Sequence, residues 1–171
     1  MAPTTSQPPQ PAVQPLPPTG ADLLQLDIQV CFALHATARA FDRVYRRLLR
    51  DTGLTYPQYL AMMALWEHGA MPVKQLGELL RLDSGTLSPL LKRLDTAGLV
   101  QRERSPHDER SVIVRPTGEG TALRARAERI PLDIIAASGL APAEAVELRT
   151  RLERLTRALD IAADGTDADE D

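Results

Sequence analysis

The chain has 171 residues, 43% of them apolar and 25% charged, with 20 Lys plus Arg against 23 Asp plus Glu. That mix fits one soluble domain of ordinary size with tails, and the lack of any run of about 18 apolar residues speaks against a membrane span. The net charge of -3, taken alone, argues against a nucleic-acid partner, and the single Cys31 excludes a disulfide framework and a multi-thiolate metal site.

Residues 1–20 hold seven of the 14 prolines, no charge and no aromatic ring, and read as a disordered Pro-rich tail. They carry neither the basic start nor the apolar stretch of a secretion signal, so a cytoplasmic protein is expected. At the other end Asp164, Asp167, Asp169, Glu170 and Asp171 make 164–171 an acidic, disordered tail. Without those five acids, residues 1–163 carry +2. The folded domain is expected over 21–163, and nothing in it calls for a cofactor.

From Asp22 to Asp51 no Pro or Gly interrupts the chain. Cys31, Leu34, Ala38, Phe41, Tyr45 and Leu48 recur there at steps of three and four, which predicts one long helix with a single apolar seam. Gly53 ends it. Tyr56 and Pro57 open a second helix to about His68, closed by Gly69. A short third helix starts at Pro72 or Val73 and reaches about Leu80. Asp83 and Ser84 supply a cap for a fourth, Gly85 to about Ala97, which Gly98 terminates. Leu99–Arg104 and Ser111–Arg115 read as a hairpin with a six-residue polar tip. Thr117 caps a fifth helix ending near Ile130 and Pro131, and Pro142 opens a sixth reaching about Ala162.

The order of residues 72–116 is helix, turn, helix, then β wing. In a winged helix-turn-helix the second helix enters a major groove and the wing tip reaches the flanking minor groove. Early in the fourth helix Ser84, Thr86 and Ser88 are short hydrogen-bonding groups able to approach phosphate or base edges, and the free N–H groups of the helix start add to phosphate binding. Lys92 and Arg93 follow within reach of the backbone, and Arg104 stands at the end of the first wing strand. Asp108 and Arg110, two apart, share one side of an extended strand, where the carboxylate steadies the guanidinium for minor-groove insertion. Eight cations against six acids give residues 71–116 only +2. So weak a field calls for duplication of the site, hence a dimer on double-stranded DNA. The same spacing also suits a protein-interaction module.

All six aromatic residues lie between Phe32 and Trp66, directly after Cys31. A lone cysteine on an apolar seam is either a small buried filler or a reactive thiol. The predicted helix puts it about two turns in, where the helix dipole contributes little. Hydroxyls of Tyr45 and Tyr56 are the candidate stabilisers of a thiolate. Tyr45 follows Cys31 by fourteen residues, returning to within about 40° of its face but about 21 Å along the axis, so only two helices packed antiparallel across a two-fold axis bring them together. His35, one turn from the thiol, is a second candidate neighbour.

Gln29 to Leu34, Gly53 to Leu60 (with Thr-Tyr-Pro-Gln-Tyr), Leu65-Trp66-Glu67, Leu82 to Leu94 (with Leu-Asp-Ser-Gly-Thr-Leu) and Asp108-Glu109-Arg110-Ser111-Val112 closely resemble the organic hydroperoxide resistance regulators of the MarR family. The resemblance covers about residues 22–162. It implies a mainly α fold with a small β wing, in which dimerisation helices at about 22–51 and 117–162 flank a DNA-reading part at about 57–116. It further implies a homodimeric repressor that leaves an inverted-repeat operator when an organic hydroperoxide oxidises its cysteine. By position Cys31 matches the sensing thiol, and Tyr45 and Tyr56 match tyrosines that bond it from the partner subunit. The family's tyrosine one turn after the cysteine is His35 here. No second cysteine stands at about 136–141, so the chain resembles the one-cysteine type, whose sulfenic acid is captured by a small thiol or overoxidised. The alternative is a MarR-type repressor released by reversible binding of a small phenolic ligand. A thiol peroxidase is not expected, since no strand-helix alternation of a thioredoxin-like fold is present.

Overall fold

The computed structural model describes residues 23–106 and 111–166. They fall into two compact units, one ending at Phe41 and the other beginning at Asp42.

The first unit opens with a single 3-10 turn, Leu26–Ile28. Gln29 then turns extended (φ -78°, ψ 120°), and its side-chain amide donates to the carbonyls of Leu23 and Gln25. Its own carbonyl accepts from the Ala33 N–H, so Gln29 is the cap from which α1 (Val30–Leu48) starts. This corrects the expectation of one helix from Asp22 to Asp51. Polar residues able to bond their neighbours' backbone break the helix before Val30, although the apolar spacing runs on. The far end differs as well, since Arg50–Thr52 forms a 3-10 turn and Gly53 leaves it at φ 72°.

In the second unit α2 is Tyr56–His68, its entry tied by the Thr55 N–H and hydroxyl donating to Gln58 Oε1 at 2.9 and 3.0 Å. Next come β1 (Met71–Pro72), α3 (Val73–Leu80), α4 (Ser84–Thr96), β2 (Val100–Arg104) and β3 (Val112–Pro116). The sheet order is β1-β3-β2, all antiparallel, with Met71 opposite Val114 and Arg104 opposite Val112. A hairpin alone was expected. The extra strand is two residues long, too short to show alternation, and exists through its pairing with β3.

α5 (Gly118–Ala127), α6 (Ile130–Ser138) and α7 (Pro142–Thr166) complete the order. The fifth helix thus ends earlier than expected, and Pro131, read as a stop, lies in the first turn of a further helix, where its fixed φ suits it. α7 also runs past Ala162, so the segment assigned to an acidic tail from residue 164 begins as helix.

The core gathers Met62 and Leu65 of α2, Leu76 of α3, Leu87, Leu91 and Leu94 of α4, and Val100 and Val114 of the sheet, all essentially inaccessible. Burying each such side chain is worth about 1.5–3 kcal/mol, which fixes α3, α4 and the wing as one body. Two glycines permit this packing. A Cβ on Gly77 would sit 3.0 Å from the Leu82 carbonyl oxygen, and one on Gly120 only 1.9 Å from that of Leu99. α5 therefore lies directly on the chain entering β2, where the Trp66 Nε1–H donates to the Gly120 carbonyl at 2.8 Å.

Candidate nucleic-acid interface and thiol site

Asp83 caps α4, accepting from the Thr86 N–H at 2.8 Å and from its hydroxyl at 3.0 Å. Those bonds hold the Asp83 carboxyl below the usual carboxylate range. Leu87, Leu90, Leu91 and Leu94 turn inward. That leaves Ser84, Thr86, Ser88, Lys92 and Arg93 exposed on the other side. The same leucine spacing that anchors the helix thus presents the polar residues as a group. Thr86 is engaged as a donor in the cap and has its lone pairs to offer, a role the sequence reading did not distinguish.

The wing is fastened to this helix. Arg102 Nε donates to Asp95 Oδ2 of α4 at 3.1 Å, and Arg115 pairs with Glu103 across the two strands at 3.1 Å. The Ser105 N–H donates to the Ser111 carbonyl at 2.8 Å and draws the arms together below the tip. Arg104 is exposed at the end of β2. Asp108 and Arg110 lie outside the described residues. Arg81, Arg102 and Arg115, which a count of charges treats as available, are each paired with a carboxylate. Lys74, Lys92, Arg93 and Arg104 enter no ion pair among the described residues, and all four are exposed.

Cys31 is the second residue of α1 and is exposed, as is His35 one turn on. The expectation that the thiol sits two turns inside the helix is therefore corrected. With the helix starting at Val30, the unpaired first-turn N–H groups put the positive end of the helix dipole at this position. Leu34, the next residue of the predicted seam, is exposed too, so the seam is open at this end, and Val30 and Phe32 on either side of the thiol are likewise uncovered.

In the second unit Tyr45 and Tyr56 come together, their rings stacked with centroids 4.3 Å apart. Tyr59 joins them, 6.1 Å from Tyr45 and 6.3 Å from Trp66, a neighbour that spacing alone did not single out. Burial, with Tyr56 and Tyr59 beside it, pushes the Tyr45 phenol up to about 12. Burial also raises Tyr56, with Asp42 adding to the effect, and raises Tyr59. The cluster is thus held as neutral phenols, which is the form that donates a hydrogen bond to an anion.

The MarR family profile matches residues 54–112. The organic hydroperoxide resistance transcriptional regulator of Bacillus subtilis (strain 168) is 43% identical over 138 residues, 81% of this chain and 94% of the relative. The chain belongs to the MarR family. Among solved structures, reduced AbfR bound to DNA matches with a TM-score of 0.68 and 33% identity over 81% of this chain and 94% of that one. Overoxidised AbfR bound to DNA gives a TM-score of 0.63 and 33% identity, over 78% and 94%. AbfR is a Staphylococcus epidermidis protein. The MarR profile spans α2 through the first residue of β3 and so takes in the whole of α3 and α4. Cys31, His35 and Tyr45 lie outside that span.

Proposed function

We propose that this MarR-family chain is a homodimeric, cytoplasmic repressor that binds an inverted-repeat operator and releases it when an organic hydroperoxide oxidises Cys31. The observation that carries the reading is the exposed thiol at the start of α1 in a chain whose second unit presents a polar helix face beside a wing. In support of a dimer, Val30 and Phe32 in the first unit and Leu132, Val146 and Ile161 in the second are exposed in the single chain. Apolar surface of that kind marks an association face.

Ser84, Thr86 and Ser88 approach the groove edge, while Lys92, Arg93 and Arg104 meet phosphates, with Asp108 steadying Arg110 at the minor groove. Two such heads, one per subunit, supply the affinity that +2 on a single head does not.

In the sensing step the thiolate sulfur attacks the terminal peroxide oxygen. The O–O bond breaks, the sulfur gains oxygen as sulfenate, and the leaving alkoxide takes a proton to become an alcohol. Tyr45 and Tyr56 of the partner subunit donate hydrogen bonds to the thiolate, and His35 stands one turn away on its own helix. A small thiol then condenses with the sulfenic acid, forming a mixed disulfide and water. Mobility of an operator fragment tests the reading. Release by cumene hydroperoxide that survives removal of the oxidant and reverses only with excess small thiol, a second molecule of which displaces the first from the mixed disulfide as a disulfide of its own, is expected. Release that dilution alone reverses contradicts it.

A further inference from the structure

Arg81 occupies the turn between α3 and α4 in left-handed backbone, φ 53° and ψ 43°. Among the described residues it is the one non-glycine with positive φ. Glycine takes that conformation without a Cβ penalty, so an arginine is held there against its backbone preference. Its side chain makes a two-point bond. Nη1 donates to Asp160 Oδ1 at 3.0 Å and Nη2 to Asp160 Oδ2 at 2.8 Å. The pair spans 79 residues of sequence, from the turn ahead of the recognition helix to the distal part of α7.

Parallel bonds between a planar guanidinium and a carboxylate fix angle as well as distance. Both side chains are about half exposed, so the pair adds little to stability and its geometry is what distinguishes it. The turn transmits that geometry directly. The Leu82 N–H donates to the Gly77 carbonyl at 2.9 Å, and Asp83, two residues after Arg81, caps α4. Whatever moves Arg81 therefore moves the first turn of α4.

We propose that Asp160 is a positioning residue for operator binding, setting the orientation of α4 from the C-terminal helix through its grip on Arg81. The proposal rests on the DNA-binding function above.

Full-length protein and two duplexes of equal length test it: one selected by the wild type from a randomised pool, the other a scrambled version. The readout is the ratio of the two affinities. Asp160→Asn removes a negative charge, so electrostatics alone would leave the ratio unchanged while tightening both complexes. Positioning predicts that the ratio falls about fivefold, at the lower end of site-to-site couplings, and that Asp160→Glu restores part of it. Arg81→Gly, which suits the left-handed backbone and keeps the turn, lowers the ratio similarly, and the double variant is no worse than the weaker single one. An unchanged or higher ratio in Asp160→Asn, or additive losses in the double variant, overturns the proposal. A wild type that selects no duplex overturns the DNA-binding reading itself.

Discussion

At the scale of single residues, the position of Cys31 and the state of the tyrosines pull in one direction. The thiol is exposed at the start of α1, and the Tyr45 phenol, pushed up to about 12, stays a donor throughout the physiological range. Tyr45→Phe keeps the stacked ring and removes the donor. We expect reduced Tyr45→Phe to bind operator normally while Cys31 oxidation by organic hydroperoxide slows about tenfold, the kinetic equivalent of the lower end for a hydrogen bond to a charged group. Stopped-flow rates check this, and an unaltered rate would remove Tyr45 from the sensing chemistry. The same shift has a consequence for stability. A phenol whose pKa is raised on folding stabilises fully below its unfolded value near 10, and that contribution is lost as pH rises toward about 12. Thermal melts across that window should fall more steeply for the wild type than for Tyr45→Phe.

At the scale of elements, α4 depends on its cap and the wing on close packing. Asp83 is held below the ordinary carboxylate range, so its stabilisation is complete above about pH 4 and is lost as pH falls through the depressed value. Asp83→Ala should lower the melting temperature at neutral pH and Asp83→Asn much less, since asparagine caps nearly as well. Gly120→Ala forces a Cβ to within 1.9 Å of the Leu99 carbonyl oxygen. Such overpacking typically costs about 1–3 kcal/mol, and denaturant melts followed by Trp66 fluorescence will register it, because the indole bonds to the same residue. The bounds of α2 and the start of α7 could be read from the sequence, as could α3 and α4 to within a residue. Each has a Gly, Asp or Pro at a boundary, residues that start or stop a helix for a physical reason. The start of α1 could not, because Gln29 interrupts the helix by bonding local carbonyls while the apolar spacing continues. α6 was missed because Pro131 signals a stop and a start equally well. On the candidate site, the exposed face of α4 was legible from leucine spacing. The pairing of Arg81 with Asp160 was not, since nothing local connects residues 79 apart.

At the scale of the whole molecule, the acidic balance of the chain no longer argues against DNA. Five of its acids lie at 164–171, and three arginines of the reading head are paired with neighbouring carboxylates, which leaves Lys74, Lys92, Arg93 and Arg104 as exposed cations outside any ion pair among the described residues. If Lys92, Arg93 and Arg104 each meet a phosphate in a two-headed complex, six contacts give a slope of log affinity against log salt of about -5. Lys92→Ala should then reduce the magnitude of that slope by about 2, one unit per head. An unchanged slope would take Lys92 off the phosphate backbone. On the proposed function, oxidation of the one thiol at the start of α1 governs the reading heads. Its most direct measurement is operator binding by the wild type and by Cys31→Ser, each before and after one equivalent of organic hydroperoxide. The wild type should release the operator while Cys31→Ser keeps it; equal release by both would contradict the account.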